Sequence, residues 1–210
     1  MTSGSIDSLT AVGAMVSRET YARLVEFEQV FLRWAQRINL SAPSTLKEVW
    51  SRHILDSGQL ASLDGGAMRW VDLGSGGGFP GLVIAFLLMD RPGSRIELIE
   101  SNRKKAAFLQ AVVGQFGLPC RVHAQRVEQC YTVIRDAEII TARALAPLPL
   151  LLGLAAPWLT NGAKGLFHKG RDYRRELEES AQLWRFELVE HESKIDREGI
   201  ILEIRNLNAV

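Results

Sequence analysis

Five glycines fall within eight residues of this 210-residue chain, in the run Val71-Asp72-Leu73-Gly74-Ser75-Gly76-Gly77-Gly78-Phe79-Pro80-Gly81. Ordering so many mobile residues is entropically costly, so the run predicts a backbone that turns sharply and comes close to a ligand with no side chains between. Trp70 to Leu73 reads as the end of a short buried strand. Pro80 is tolerated in a first helical turn, and Leu82 to Met89 supplies an apolar run behind it. Strand, glycine turn, helix is the layout of a nucleotide pocket.

Two cofactor classes compete for such a loop. Gly76-x-Gly78-x-x-Gly81 satisfies the dinucleotide fingerprint, in which a diphosphate sits on the helix N-terminus. In that fingerprint the glycines follow the strand directly, whereas this chain has an acid, Asp72, two residues before the first glycine and a longer run. The run resembles the first motif of the S-adenosylmethionine-dependent methyltransferases, where the glycine backbone passes under the methionyl part of the cofactor. A carboxylate there would gain ~0.3–1 kcal/mol from the helix N-terminus. A glycine turn of purely structural use is the third alternative.

A chain of 210 residues suits one domain with a real core. The formal net charge is +1, so nucleic-acid binding has to come from a local patch. Cys120 and Cys130 are too far from a Cys-x-x-Cys spacing to suggest a metal, and they read as idle thiols. Met1 to Val16 lacks the marks of an export signal and reads as a frayed lead over residues 1 to about 16. The longest apolar run, Ala144 to Leu159, is too short to span a bilayer and is broken by Pro147, Pro149 and Pro157. Cytoplasmic location, no membrane and no metal are the expectations.

From Arg18 the pattern turns helical, with Tyr21, Leu24, Val25, Phe31, Leu32, Ala35 and Ile38 on one face and Phe27, Val30 and Trp34 widening it. Residues 17–66 are expected to form a helical extension packed on a core of residues 67–210. Within it Arg52, His53 and Asp56 fall at spacings that share a helix face, where Arg52 and Asp56 could equally be an ordinary surface pair. Arg95 to Glu100 alternates like a second strand ending on an acid. A carboxylate there can accept two hydrogen bonds from vicinal ribose hydroxyls, and Glu100 is the candidate. Its alternative is a helix N-terminal acid before Lys104 and Lys105. Arg143 stands at the end of a fourth strand, where ligands gather in open parallel sheets. The densest basic cluster, Lys169 to Arg175, begins at the ligand end of a fifth strand and offers Lys169 and Arg171 to RNA phosphate, or is a solvated face.

Taken together, Asn39-Leu40-Ser41, Glu48-x-Trp50-x-Arg52-His53-Ile54-x-Asp56-Ser57 and the glycine run resemble RsmG, also called GidB, the bacterial family that methylates N7 of a guanine in 16S ribosomal RNA. The likeness continues in Arg126-Val127-Glu128, Thr141-Ala142-Arg143-Ala144 and Lys169-Gly170, over roughly residues 20 to 207. It implies a Rossmann-like class I methyltransferase fold, α/β, with a seven-stranded mostly parallel sheet, S-adenosyl-L-methionine as cofactor and the small ribosomal subunit as partner of a monomer. Gly74, Gly76, Gly78, Phe79, Glu100, Val127, Glu128 and Arg143 would then bind the cofactor. Arg143 and Lys169 would position the guanine, and Arg52, His53, Lys169 and Arg171 would meet RNA. Guanine N7 has a free lone pair, so no general base is required and none is evident. An NAD-dependent oxidoreductase, or a methyltransferase acting on a small molecule or a protein, are the other classes.

Overall fold

The structure is a computed structural model that describes residues 4–210. Its first strand, β1 (Arg69–Leu73), is buried along all but its first residue. β2 (Arg95–Ile99) and β4 (Ile139–Arg143) flank it in parallel. β3 (Cys120–His123) adds beyond β2, and β5 (Lys164–Lys169) beyond β4, both parallel. β7 (Ile200–Ala209) pairs antiparallel with β5, and β6 (Trp184–Glu192) closes that edge, giving the order β3-β2-β1-β4-β5-β7-β6. Strands buried on both faces need near-continuous apolar sequence, which Trp70 to Leu73 and Ile139 to Ala142 supply apart from Asp72 and Thr141. The expected seven-stranded sheet with an antiparallel edge is therefore the one observed. The chain leaves β1 toward β2 on one side and returns as β4 on the other, so a crevice opens beyond their carboxyl ends.

The glycine turn leads into α5 (Gly81–Leu88), a helix apolar on every side and correspondingly buried. α6 (Arg103–Phe116) begins at Asn102, whose side-chain oxygen accepts from the amides of Lys104 at 3.0 Å and Lys105 at 3.2 Å. It ends at Gly117, which takes the left-handed conformation of a helix terminator. Asn102, not Glu100, thus caps this helix. α7 (Leu148–Leu159) and α8 (Tyr173–Ala181) pack together on the opposite face of the sheet from α5 and α6.

The frayed lead expected over residues 1–16 is corrected from residue 4 onward; residues 1–3 lie outside the described part. α1 (Ile6–Ala11) is started by a reciprocal Ser5–Ser8 capping box, and Leu9, Val12 and Ala14 are buried. Ser8 Oγ accepts from the Trp50 indole at 3.1 Å, and the Tyr21 hydroxyl donates to Gly4 O at 2.9 Å. Small polar residues read as a loose end, but they serve as caps. α2 (Arg18–Ala35), capped by Ser17, buries Leu24, Phe27, Val30 and Phe31, so the residues expected to widen its stripe lie near its centre. A 3₁₀ turn at Pro43–Glu48 and a wide π turn at Trp50–Leu55 carry the chain into α3 (Asp56–Gly58) and α4 (Leu60–Leu63). Phe27 meets Phe86 at 5.3 Å and Phe31 meets Phe79 at 5.1 Å, so the extension and the sheet share one core. Among the described residues no helix is long and apolar enough to cross a membrane, and Cys120 and Cys130 are free thiols.

Candidate active site

The turn after β1 is fixed from beneath. Asp72 is buried, accepts from the Thr141 hydroxyl at 2.8 Å and receives the Gly81 amide at 3.3 Å. Burial pushes its carboxyl up to about 6, against the pull of those hydrogen bonds. A Cβ on Gly81 would lie 2.4 Å from Leu98 Cδ2 and 2.7 Å from Asp72 Oδ2, which is why this helix can start only on a glycine. Gly76 has φ +53° and presents its amide to Glu100 Oε2 at 2.8 Å. The other Glu100 oxygen accepts from Asn102 N at 2.7 Å. Glu100 therefore clamps the glycine turn to the end of β2.

Beside that clamp lies a cavity of about 240 Å³, lined by Gly74, Gly76, Ile99, Glu100, Val127, Glu128 and Leu154 among others. Each Glu100 oxygen gives one lone pair to an amide, and a carboxylate offers about four, so two remain for a pair of hydroxyls. Ile99, Val127 and Leu154 give aliphatic surface for a flat ring. Bare glycine backbone, a carboxylate with acceptors to spare and an apolar slot fit an adenosyl sulfonium such as S-adenosylmethionine.

On the other side a larger cleft of about 1140 Å³ opens between the sheet and the N-terminal extension. Arg143, at the end of β4, is its hub. One terminal nitrogen donates to Arg52 O at 2.9 Å and to Asp56 Oδ2 at 3.2 Å, and the other donates to His53 Nδ1 at 2.6 Å. The guanidinium also lies 5.5 Å over the Phe79 ring. His53 stacks on Phe79 with centroids 4.9 Å apart, and its Nε2–H faces the hydroxyls of Ser41 at 3.0 Å and Thr45 at 3.1 Å. Burial, then the positive charges of Arg143 and Arg52, lower its pKa to about 3. His53 is thus a neutral structural imidazole. His168 donates from Nε2 to Asp56 O at 3.0 Å, and burial holds its pKa down too. Lys169 donates to Ala146 O at 2.8 Å and to Glu176 at 2.6 Å, and the same Glu176 oxygen receives Leu148 N at the start of α7.

The residues expected at the cofactor divide between the two cavities. Gly74, Gly76, Glu100, Val127 and Glu128 line the smaller one. Phe79 and Arg143 line only the larger cleft, because the aromatic cluster and Asp56 hold them toward the extension. Gly78 lines neither: a Cβ there would lie 2.3 Å from Leu82 Cδ1, so its missing side chain makes room for its own helix. Of the residues expected at RNA, Arg52, His53 and Lys169 line the cleft, whereas Arg171 stands outside it, 76% exposed and paired with Glu198 at 2.6 Å. Asp56, His168, Glu176, Lys105 and Leu145 also line the cleft without having been singled out as ligands. Only Asp56 carried a sequence signal, through its spacing from Arg52.

The family model described as GidB, rRNA small subunit methyltransferase G, matches residues 20–199. A protein of Chelativorans sp. (strain BNC1) named ribosomal RNA small subunit methyltransferase G is 56% identical over 200 residues, covering 95% of each chain. Its namesake from Brucella anthropi is 54% identical over 201 residues, covering 96% of this chain and 94% of that one. Among solved structures, cofactor-bound Rv0187 from MTB aligns over 92% of both chains with a TM-score of 0.57 at 13% identity. MtNAS in complex with MTA and tNA aligns over 88% of this chain and 73% of that one, with a TM-score of 0.57 at 16% identity. At such identities these two speak for the fold alone.

Proposed function

Because the chain belongs to the GidB family of rRNA small subunit methyltransferases G, we propose that it transfers the methyl group of S-adenosylmethionine to N7 of a guanine in 16S ribosomal RNA. Membership in that family sets aside the dinucleotide-dependent oxidoreductase. The observation that carries the proposal is a shared wall. The small cavity with the Glu100 clamp and the cation-lined cleft have Gly74, Gly76, Lys105, Ala144 and Leu145 in common, so a group held on one side can be handed to the other.

The bound donor supplies an electrophilic methyl on a sulfonium; the chain's residues position and exclude. Glu100 would accept from the ribose hydroxyls with its unused lone pairs, the backbone of Val127 and Glu128 would read the adenine edge, and Gly74 and Gly76 would let the methionyl part pass. On the acceptor side Lys169 has given two of its three N–H donors to Ala146 and Glu176. The third is available to guanine O6, a contact suited to that base edge. Arg143 has given three of its five donors to the extension and acts by holding the cleft wall in place. Guanine N7 attacks with its own lone pair, so in-line placement in a water-poor site is the main contribution. His53 spends Nδ1 on Arg143 and burial holds its pKa down to about 3, so it is a poor proton acceptor, as suits a reaction without a general base. The major groove of A-form RNA is too narrow for these side chains, so the guanine must be unpaired or splayed out.

In this proposal the helical extension over residues 17–66 forms the RNA-facing wall, and the chain acts as a cytoplasmic monomer without metal. Incubating small ribosomal subunits with methyl-labelled donor and mapping nuclease fragments by mass spectrometry tests the function. One guanine should carry the label on its base; label absent from the RNA would overturn it.

A further inference from the structure

We propose that Leu145 is a specificity-determining residue that limits the size of the group this enzyme can transfer, an inference that rests on the methyl-transfer function above. The transferred group must leave the small cavity and enter the cleft through the residues that line both, namely Gly74, Gly76, Lys105, Ala144 and Leu145. Two of these carry side chains larger than a methyl. Lys105 is a cation and repels a sulfonium, so the passage lies on the Leu145 side of the wall.

Leu145 is placed there by its backbone. Ala144 has φ +53°, a conformation that costs a non-glycine residue energy, and it sits between the Arg143 anchor and Leu145. With Arg143 held in the cleft by Asp56 and His53, the left-handed step at Ala144 turns the next side chain back over β1. A Cβ on Gly74 would lie 2.5 Å from Leu145 Cδ1, 3.2 Å from Cγ and 3.4 Å from Cδ2, so the isobutyl group lies flat on bare glycine backbone. Leu145 nonetheless remains 36% exposed, an apolar group at the junction of the two cavities. No packing demand explains a leucine there. A gauge beside the transferred group would: the S–C bond would break with its electrons returning to sulfur while N7 formed the new bond with its lone pair, and the leucine would leave room for one carbon.

An added methylene that does not fit an apolar pocket weakens binding roughly 10-fold or more. The test compares S-adenosylhomocysteine, S-adenosylmethionine and its S-ethyl homologue by calorimetry on the wild type, Leu145→Ala and Leu145→Phe. The wild type should bind the ethyl donor about 10-fold more weakly than the methyl donor. Leu145→Ala should bring the two within about threefold, and Leu145→Phe should weaken the methyl donor relative to S-adenosylhomocysteine, which carries no group to clash. A wild type indifferent to the ethyl group, or an alanine variant that still discriminates, overturns the proposal. Saturable binding of S-adenosylhomocysteine by Leu145→Ala reports that the variant is folded, and each variant's donor affinities are read as ratios to its own S-adenosylhomocysteine affinity. Failure of the wild type to bind S-adenosylhomocysteine at all would instead overturn the methyl-transfer function.

Discussion

Replacing Glu100 by glutamine removes one formal charge and turns one acceptor into a donor, at a residue only 8% exposed. Both carboxylate oxygens are engaged, by Gly76 N at 2.8 Å and Asn102 N at 2.7 Å. A glutamine can satisfy one of these amides, and its own NH₂ then faces the other, leaving a buried donor unpaired at a cost of about 1–3 kcal/mol. For a domain of this size each kcal/mol moves the melting temperature by roughly 2–4 °C, so Glu100→Gln should melt about 2–12 °C lower. The lone pairs still unused on those two oxygens are the proposed ribose acceptors. Losing a hydrogen bond to a charged group costs about 1.5–3 kcal/mol, so S-adenosylhomocysteine should bind roughly 10- to 150-fold more weakly. Differential scanning fluorimetry without ligand measures the first effect and titration calorimetry the second. Affinity within twofold of wild type, with a lowered melting temperature, would mean that Glu100 staples the loop and holds no ribose. No change in either would refute the geometry itself.

Other outcomes follow from the cleft. Arg143→Lys should melt lower and lose at least about tenfold in methyl-transfer rate, because an ammonium cannot reproduce the planar fork joining Arg52 O, Asp56 and His53; thermal melts and single-turnover assays check it. Arg171→Glu should leave melting and donor affinity unchanged, since this side chain is an exposed partner of Glu198 outside the cleft. If it meets RNA, its loss should lower the salt-dependence slope of RNA binding by about one. Two buried groups should pull stability in opposite directions with pH. The His53 pKa drops from 6.5 to about 3 on folding, so the unfolded chain takes up the proton first and stability is lost as pH falls from about 6.5 toward 3. The Asp72 pKa rises from 3.8 to about 6, so its contribution is present below about 4 and lost as pH rises through about 6. In urea titrations the wild-type advantage over His53→Gln should therefore shrink on acidification and that over Asp72→Asn should grow, each by at most roughly 1.4 kcal/mol per pH unit.

Local pattern was enough for much of this molecule. The strand before Gly74, the apolar helix after Pro80 and the alternation of Arg95 to Glu100 are all short-range signals, and each corresponds to an observed element. The place of Glu100 at the end of β2 beside the glycine turn was legible for the same reason, whereas its clamp on Gly76 N was not. What the chain hides is long-range. Arg143 meets Arg52 and Asp56 across about ninety positions of sequence, and the Lys169–Glu176 pair that restrains the basic cluster is visible only once β5 and α8 are placed. Lys169 reads as a free cation in sequence, but in the fold its side chain is 9% exposed and has spent two of its three donors. The first helix is hidden in the sequence because its caps are serines and its one buried side chain, Leu9, finds its packing surface at the distant Gly58. Leu145 carries no sequence signal, since its meaning depends on the left-handed turn at Ala144 and the bare surface of Gly74.

A crystal structure with S-adenosylhomocysteine bound tests the central claim most directly. The ribose hydroxyls should lie within hydrogen-bond distance of Glu100, the adenine between Ile99 and Val127, and the sulfur beside Gly74 facing the cleft that Arg143 and Lys169 line. A ligand seated elsewhere, or one whose sulfur points away from that cleft, would contradict it.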